Sequence, residues 1–241
     1  NGINVTAIAQ GSSELNISFV INKKDELKTL NLIHDSFFLS DNRRIHLFIA
    51  GVGLIGGTLI EQIIKQRQQL IDKYKIEIQV AGLSNSKKMI FDAEGIDLNG
   101  WKNKIETSES HADINAFVNR MIAENLSNTI FIDNTANDDV SKVYEKVLEN
   151  SISVVTSNKI ATSGPIDVYK KLKSLASKKN VQFRYETNVG AGLPLISTLQ
   201  NLIASGDDIL KIEAVMSGSV SYIFNNFTPG IKFIDLVTEA K

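Results

Sequence analysis

The sequence predicts an α/β protein, a doubly wound parallel sheet followed by the start of a second, α+β domain. Three observations carry this. From Ile45 onward, short apolar runs alternate with longer stretches at helical spacing, the signature of parallel strands joined by crossover helices. A glycine-rich turn separates the first buried run from the first long amphipathic stretch. The alternation ends near Val189, which sets a boundary there. The expected divisions are residues 1–44, a hairpin and linker; 45–188, the sheet domain; and 189–241, part of a further domain.

Composition removes several classes of function. A chain of 241 residues buries a substantial core without staples. Its 26 basic and 27 acidic side chains give a net charge of −1, so it lacks the electrostatic footprint of a nucleic-acid binder. It has no cysteine, which excludes disulfides, thiolate metal sites and cysteine nucleophiles. No apolar run reaches the about 18 residues that span a bilayer. The expectation is a cytoplasmic protein with neither a membrane nor a nucleic acid as partner.

The elements follow in order. Asn4 to Ile8 and Leu15 to Ile21 read as strands, and Gln10-Gly11-Ser12-Ser13-Glu14 between them is turn chemistry, so the pair reads as a hairpin. An isolated hairpin is marginal, and the sequence opens on Asn1; the expectation is a piece of a longer polypeptide. A short helix over 25–36 and a polar hinge, Ser40 to Arg44, lead to a buried strand, Ile45 to Ala50. Leu54 to Tyr74 has helical spacing, and Ile76 to Leu83 is a second strand. Lys87 to Asn128 reads as mostly helical, with Trp101 packing it down. Thr129 to Asp133 is a third strand, Val140 to Leu148 mark one helix face, and Ile152 to Thr156 is a fourth strand. A helix follows Pro165, a residue favoured at a first helical position; its lysines form a wet face. Val181 to Glu186 is a fifth strand. Beyond it come a glycine turn and helix from Gly190, a strand over Ile209 to Met216, a helix over Val220 to Phe227, and helical turns from Phe233 to Lys241.

The turn Gly51-Val52-Gly53-Leu54-Ile55-Gly56 has the G-x-G-x-x-G spacing in the strand-to-helix context that gives it meaning. The first glycine permits a tight turn, the second lets a pyrophosphate approach the backbone, and the third lets helix and strand pack closely. The helix N-terminus then offers N–H groups to the phosphates. This predicts a dinucleotide site. A carboxylate ending the second strand would select NAD, but here Ser84-Asn85-Ser86-Lys87-Lys88 follows. The two lysines either neutralise a 2′-phosphate or form a solvated helix start, so NADP is favoured and NAD tolerated. Thr135, after the third strand, and Lys159, after the fourth, sit where doubly wound sheets gather ligands. A lysine there orients a carboxylate or carbonyl or relays a proton, although a lone loop lysine is more often simply solvated. His34, His46 and His111 fall in no metal-ligand spacing and read as structural or solvent-facing.

Three further segments carry a resemblance. Val154-Val155-Thr156-Ser157-Asn158-Lys159, Glu186-Thr187-Asn188-Val189-Gly190-Ala191-Gly192-Leu193-Pro194 and Ser217-Gly218-Ser219-Val220-Ser221-Tyr222-Ile223 resemble homoserine dehydrogenase, the second most specifically. Ile8-Ala9-Gln10-Gly11-Ser12-Ser13-Glu14 followed by Asn16-Ile17-Ser18-Phe19-Val20 is similar to the last strands of an ACT regulatory domain of aspartokinase. Together these look like part of a bifunctional aspartokinase–homoserine dehydrogenase, and the likeness runs from about Ile45 to the last residue.

The resemblance implies a Rossmann domain and an oxidoreductase of threonine and methionine biosynthesis. It would transfer hydride between NAD(P)H and aspartate semialdehyde, giving homoserine. Gly51, Val52, Gly53, Leu54, Ile55 and Gly56 would hold the cofactor, with Asn85 and Ser86 near its adenosine end and Thr135 near the nicotinamide. Lys159 matches the family's catalytic lysine. A structural monovalent cation, sodium in most members, would be held by the Glu186 carboxylate and the carbonyls of Val189, Ala191 and Leu193. Glu186 also suits a cap on the helix after Pro194, and the two roles are compatible. The resemblance further implies a homo-oligomer and control by threonine in the intact enzyme. In the family a further aspartate and lysine follow the helix that begins near Phe233. This sequence stops at Lys241, so the expectation is dinucleotide binding with little or no turnover. Ser157 stands where proline or alanine is common in relatives. The alternative is a non-catalytic, ACT-linked regulator that responds to NADP.

Overall fold

The strand Ile45 to Ala50 anticipated from sequence is β3, Arg43–Ala50. It lies inside a six-stranded sheet built around it. The computed structural model describes residues 3–11, 16–34, 37 and 42–240. After β3 come α2, Leu54–Tyr74, and β4, Ile76–Ser84. The chain then forms β5, Met89–Phe91; α3, Trp101–Glu106; and α4, Ile114–Glu124. Next are β6, Thr129–Asp133; α5, Asp138–Lys142; α6, Tyr144–Glu149; and β7, Ser153–Thr156. The last elements of the sheet region are α7, Ile160–Ser163; α8, Ile166–Lys178; and β8, Phe183–Arg184.

The strand order is β5-β4-β3-β6-β7-β8. All neighbours are parallel except the edge strand β5, which runs antiparallel to β4. The chain winds from β3 outward to β4 and β5, then returns to β6 on the other side of β3. The order therefore reverses at the carboxyl end of β3, where ligands of such sheets bind.

Alternation along β3 explains why both faces are covered. Leu47 and Ile49 join Ile60 and Ile63 of α2, Val80, Leu83, Trp101 and Ile105 in one apolar cluster. Phe48, one residue out of phase, packs edge-on against Phe117 of α4 with ring centroids 6.1 Å apart. From there aromatic contacts continue through Phe131, Tyr144 and Phe183 to Tyr185. Period-2 side chains facing two helical layers are what a buried parallel sheet demands.

Before this sheet, β1 (Val5–Gln10) and β2 (Ile17–Ile21) form an antiparallel hairpin. A 3-10 turn, Lys23–Asp25, and α1, Glu26–His34, follow. Residues 12–15, 35–36 and 38–41 lie outside the described residues. With them go most of the predicted turn, Leu15, the end of the first helix and part of the hinge.

The chain divides into two compact units, Asn1–Tyr185 and Glu186–Lys241. The second begins with a 3-10 turn, Glu186–Asn188, and continues through α9 (Leu195–Ala204), α10 (Gly218–Asn226) and α11 (Phe233–Glu239). The Phe233 ring packs against Phe224 and Phe227, and the Tyr222 hydroxyl donates to Glu239 at 2.9 Å.

Several sequence expectations need correction. Lys87 to Asn128 is not mostly helical. It opens with β5, and Lys88 and His111 pair as an isolated bridge. Asp92 and Asp97 then accept backbone N–H groups in local turns, the competition with helix that such side chains provide. The expected single helix over Val140 to Leu148 breaks at Val143 into α5 and α6. Residues 209–216 form no strand. Leu210 is 95% exposed, and the segment pairs with no other among the described residues; alternating apolar residues make a strand only where a sheet is present to receive them.

Candidate functional site

At the carboxyl end of β3 the chain must turn sharply into α2, and two glycines make that possible. Gly51 has φ +87°, and a Cβ there would lie 2.7 Å from the Thr135 methyl and 2.8 Å from the Asn134 carbonyl carbon. A Cβ on Gly56 would lie 1.9 Å from the Gly51 carbonyl oxygen. Only hydrogen fits at either position. Gly53 differs, because a Cβ there would meet nothing within 4 Å. Gly53 is also the N-cap of α2 and supplies no capping side chain. The N–H groups of Leu54, Ile55 and Gly56 therefore begin the helix without intrahelical partners, next to open space.

That space is a cavity of about 680 Å³. Its walls include Gly51, Val52 and Gly53 from the turn; Ser84, Asn85 and Ser86 from the end of β4; Asn134 and Thr135 from the end of β6; and Trp101 and Lys102 from α3. The ends of three neighbouring strands thus converge on it. Leu54, Ile55 and Gly56 are not on its wall; they continue into the helix. Lys159 is not on it either. It is exposed, at the N-cap of α7, and its carbonyl oxygen accepts from the Thr162 and Ser163 hydroxyls.

Around the loop after β4 the carboxamide of Asn85 is structural. Its Oδ1 accepts the N–H groups of Lys87 and Lys88, each at 2.7 Å. Neither of those lysines lines the cavity; its cation is Lys102. The acids on the wall are Glu106 and Asp139, on other segments, and Ser84 to Lys88 carries none.

Beneath the ends of β6 and β7 lies a polar cluster that sequence reasoning missed. Asp133 is completely buried. Its Oδ1 accepts the Thr135 N–H at 2.7 Å; its Oδ2 accepts the Tyr144 hydroxyl at 2.5 Å and the Asn158 amide at 3.0 Å. The Thr156 hydroxyl lies 2.8 Å from that of Tyr144 and is itself the acceptor for the Asn158 N–H at 2.9 Å. Burial, and then the Asp133 carboxylate, push the Tyr144 hydroxyl well above the usual phenol range. One signal was available in the sequence: Asp133 is the sole charged residue closing the run Thr-Ile-Phe-Ile-Asp.

In the second unit, Glu186 caps α9. Its two carboxylate oxygens accept the N–H groups of Ile196 and Ser197, at 2.8 and 2.9 Å. Between Glu186 and that helix runs the loop carrying Val189, Ala191 and Leu193. Ala191 has φ +52°, and the Leu193 carbonyl accepts the Leu195 N–H at 2.9 Å.

Residues 51–186, more than half of the chain, match the family described as "Homoserine dehydrogenase, NAD binding domain". The chain belongs to the homoserine dehydrogenase family. Residues 194–241 match a second part of that family, and residues 1–37 match an ACT domain. Bifunctional aspartokinase/homoserine dehydrogenase 2 of Arabidopsis thaliana is 42% identical over 240 residues, 99% of this chain and 26% of that protein. The homoserine dehydrogenase of Schizosaccharomyces pombe is 35% identical over 204 residues, 82% of this chain and 54% of that one. The chain therefore spans only 26% of the plant relative's length. Among solved structures, a hyperthermophilic archaeal homoserine dehydrogenase in complex with NADPH matches with a TM-score of 0.65 and 26% identity. The match covers 83% of this chain and 61% of that one. The Rossmann fold and the homoserine dehydrogenase affinity expected from sequence both stand. No helix among the described residues is long and apolar enough to cross a membrane.

Proposed function

We propose that this chain supplies the dinucleotide-holding half of a homoserine dehydrogenase. The whole protein would interconvert aspartate semialdehyde and homoserine with NADP(H), NAD being tolerated. The observation that carries this is the cavity whose floor is the Gly53 backbone, beside uncapped helix N–H groups. A pyrophosphate needs that combination of bare main chain and N–H donors. The NADPH complex of the archaeal neighbour supports the same choice.

Once bound, the nicotinamide gives or takes the hydride. The chain's own residues do the rest. Gly51 to Gly53 present the main chain to the diphosphate, with Leu54, Ile55 and Gly56 contributing the start of α2. Asn85 and Ser86 border the adenosine end, where the lack of a carboxylate leaves room for a 2′-phosphate. Thr135 stands on the opposite side of the switch point, toward the nicotinamide. Lys159, held by its backbone at the head of α7, presents an ammonium that orients the carboxylate or carbonyl of the amino-acid substrate. The hard oxygen donors of Glu186, Val189, Ala191 and Leu193 fit a monovalent cation such as sodium in kind, with Glu186 serving that ion and the α9 cap together. The same proposal holds the intact enzyme to be a cytoplasmic homo-oligomer.

Calorimetric titration with NADPH and NADH tests the reading. NADPH is expected to bind with a clear advantage over NADH; failure of both to bind contradicts it.

A further inference from the structure

At the amino ends of the parallel strands, opposite the glycine turn, lies a second cavity, of about 330 Å³. Arg43, Thr129 and Ser153, the first residues of β3, β6 and β7, stand on its wall, and α1 contributes Lys28. Its cations are Lys28 and Arg43, and no described residue on the wall is acidic. It shares no residue with the cavity at the glycine turn.

Lys28 is only 9% exposed, and a lysine is almost never buried without a partner. Yet its ammonium makes no hydrogen bond and no ion pair with any described residue. Burial lowers its pKa; Asp25, three residues earlier, acts in the opposite sense, but only through space. An adjoining cavity that Lys28 also borders holds Asp25 and Glu149, which Lys24 and Lys179 balance there. The Arg43 guanidinium, exposed at the start of β3, is likewise without a partner among the described residues, as are the Ser151 and Asn180 side chains on the same wall. Packing does not ask for a cation at position 28. Met121, Leu126 and Ile152 line the small space beside it and would receive a methionine as readily. A buried charge that nothing compensates is costly, so the site is built for something that brings the opposite charge.

We infer that Lys28 and Arg43 form a binding site for a small dianion, a phosphate or a dicarboxylate, at the amino end of the sheet. Two cations facing no acid match two negative charges. The guanidinium fork takes a carboxylate or a phosphate through two hydrogen bonds, and the ammonium adds a point charge. Lys28 belongs to α1 and Arg43 to β3, so the bound anion ties that helix to the sheet. The inference stands independently of the dinucleotide reading.

The test is calorimetric titration with inorganic phosphate and, separately, with succinate, at fixed ionic strength. Saturable binding of at least one of them is expected, and which one binds tells the phosphate source from the dicarboxylate. Lys28→Met and Arg43→Gln should each weaken that anion by at least about tenfold, the worth of one charge-assisted hydrogen bond. Arg43 is exposed, so its variant keeps the test open should Lys28→Met fail to fold. Without the anion, Lys28→Met should melt above the wild type, because it removes an uncompensated buried charge. Gly53→Val, which alters only the other cavity, should leave the anion's affinity unchanged. Binding of neither anion, binding indifferent to both cation variants, or a lowered melting temperature in a folded Lys28→Met would overturn the inference. So would loss of binding in Gly53→Val, which would put the anion at the glycine turn instead.

Discussion

Tyr144 shows how a single buried group ties stability to the site. Its hydroxyl bonds both Asp133 and Thr156, and Asp133 in turn holds the loops after β6 and β7. Tyr144→Phe leaves the packing but removes a donor from a fully buried carboxylate. The expected loss is about 1–3 kcal/mol at neutral pH, measured by chemical denaturation. The pH dependence has a definite sign. Burial and Asp133 raise the hydroxyl above its ordinary value near 10, so the folded state keeps a proton that the unfolded chain releases. The stabilisation is complete below pH 10 and lost as pH rises beyond it. Wild-type stability should therefore fall more steeply above pH 10 than that of Tyr144→Phe; parallel profiles would contradict the assignment. None of this was legible in sequence, because the partners of Asp133 lie 11 and 25 residues away. The parallel register of β6 and β7 brings Asn158 to it, and α6 brings Tyr144.

At the scale of elements, the unit from β3 through the glycine turn to α2 was the most legible. An apolar run, fixed glycine spacing and a 3.6-residue period all point to one answer there. Its most exacting contact is Gly56 against the Gly51 carbonyl, 1.9 Å from any added Cβ. Gly56→Ala must push α2 off the turn. The expected cost is about 3 kcal/mol, the upper end for overpacking, read as a lowered melting temperature; a variant as stable as wild type would refute the close approach. The region from Lys87 to Asn128 was misread because short polar turns break its periodicity, and its order comes from tertiary contacts. Trp101 supplies much of that order, buried against α2 in the main apolar cluster. The segment 209–216 shows the opposite error: strand periodicity is present, and no neighbouring strand is there to pair with it.

For the molecule as a whole, the reversal of strand order beside β3 is what places the glycine turn, the loop after β4 and the Thr135 loop on one cavity. Topology, and no single motif, makes them a site. The cavity wall also holds Trp101, the sole tryptophan of the chain, so its emission reports on that site alone. Gly53→Val separates binding from folding, since its side chain enters space that no protein atom occupies within 4 Å of the Cβ. The most direct test is therefore titration of NADPH against Trp101 fluorescence in wild type and Gly53→Val. Saturable quenching in the wild type is predicted, with affinity reduced by more than about tenfold, over 1.4 kcal/mol, in a Gly53→Val protein of unchanged melting temperature. Equal quenching curves for the two proteins would contradict the account.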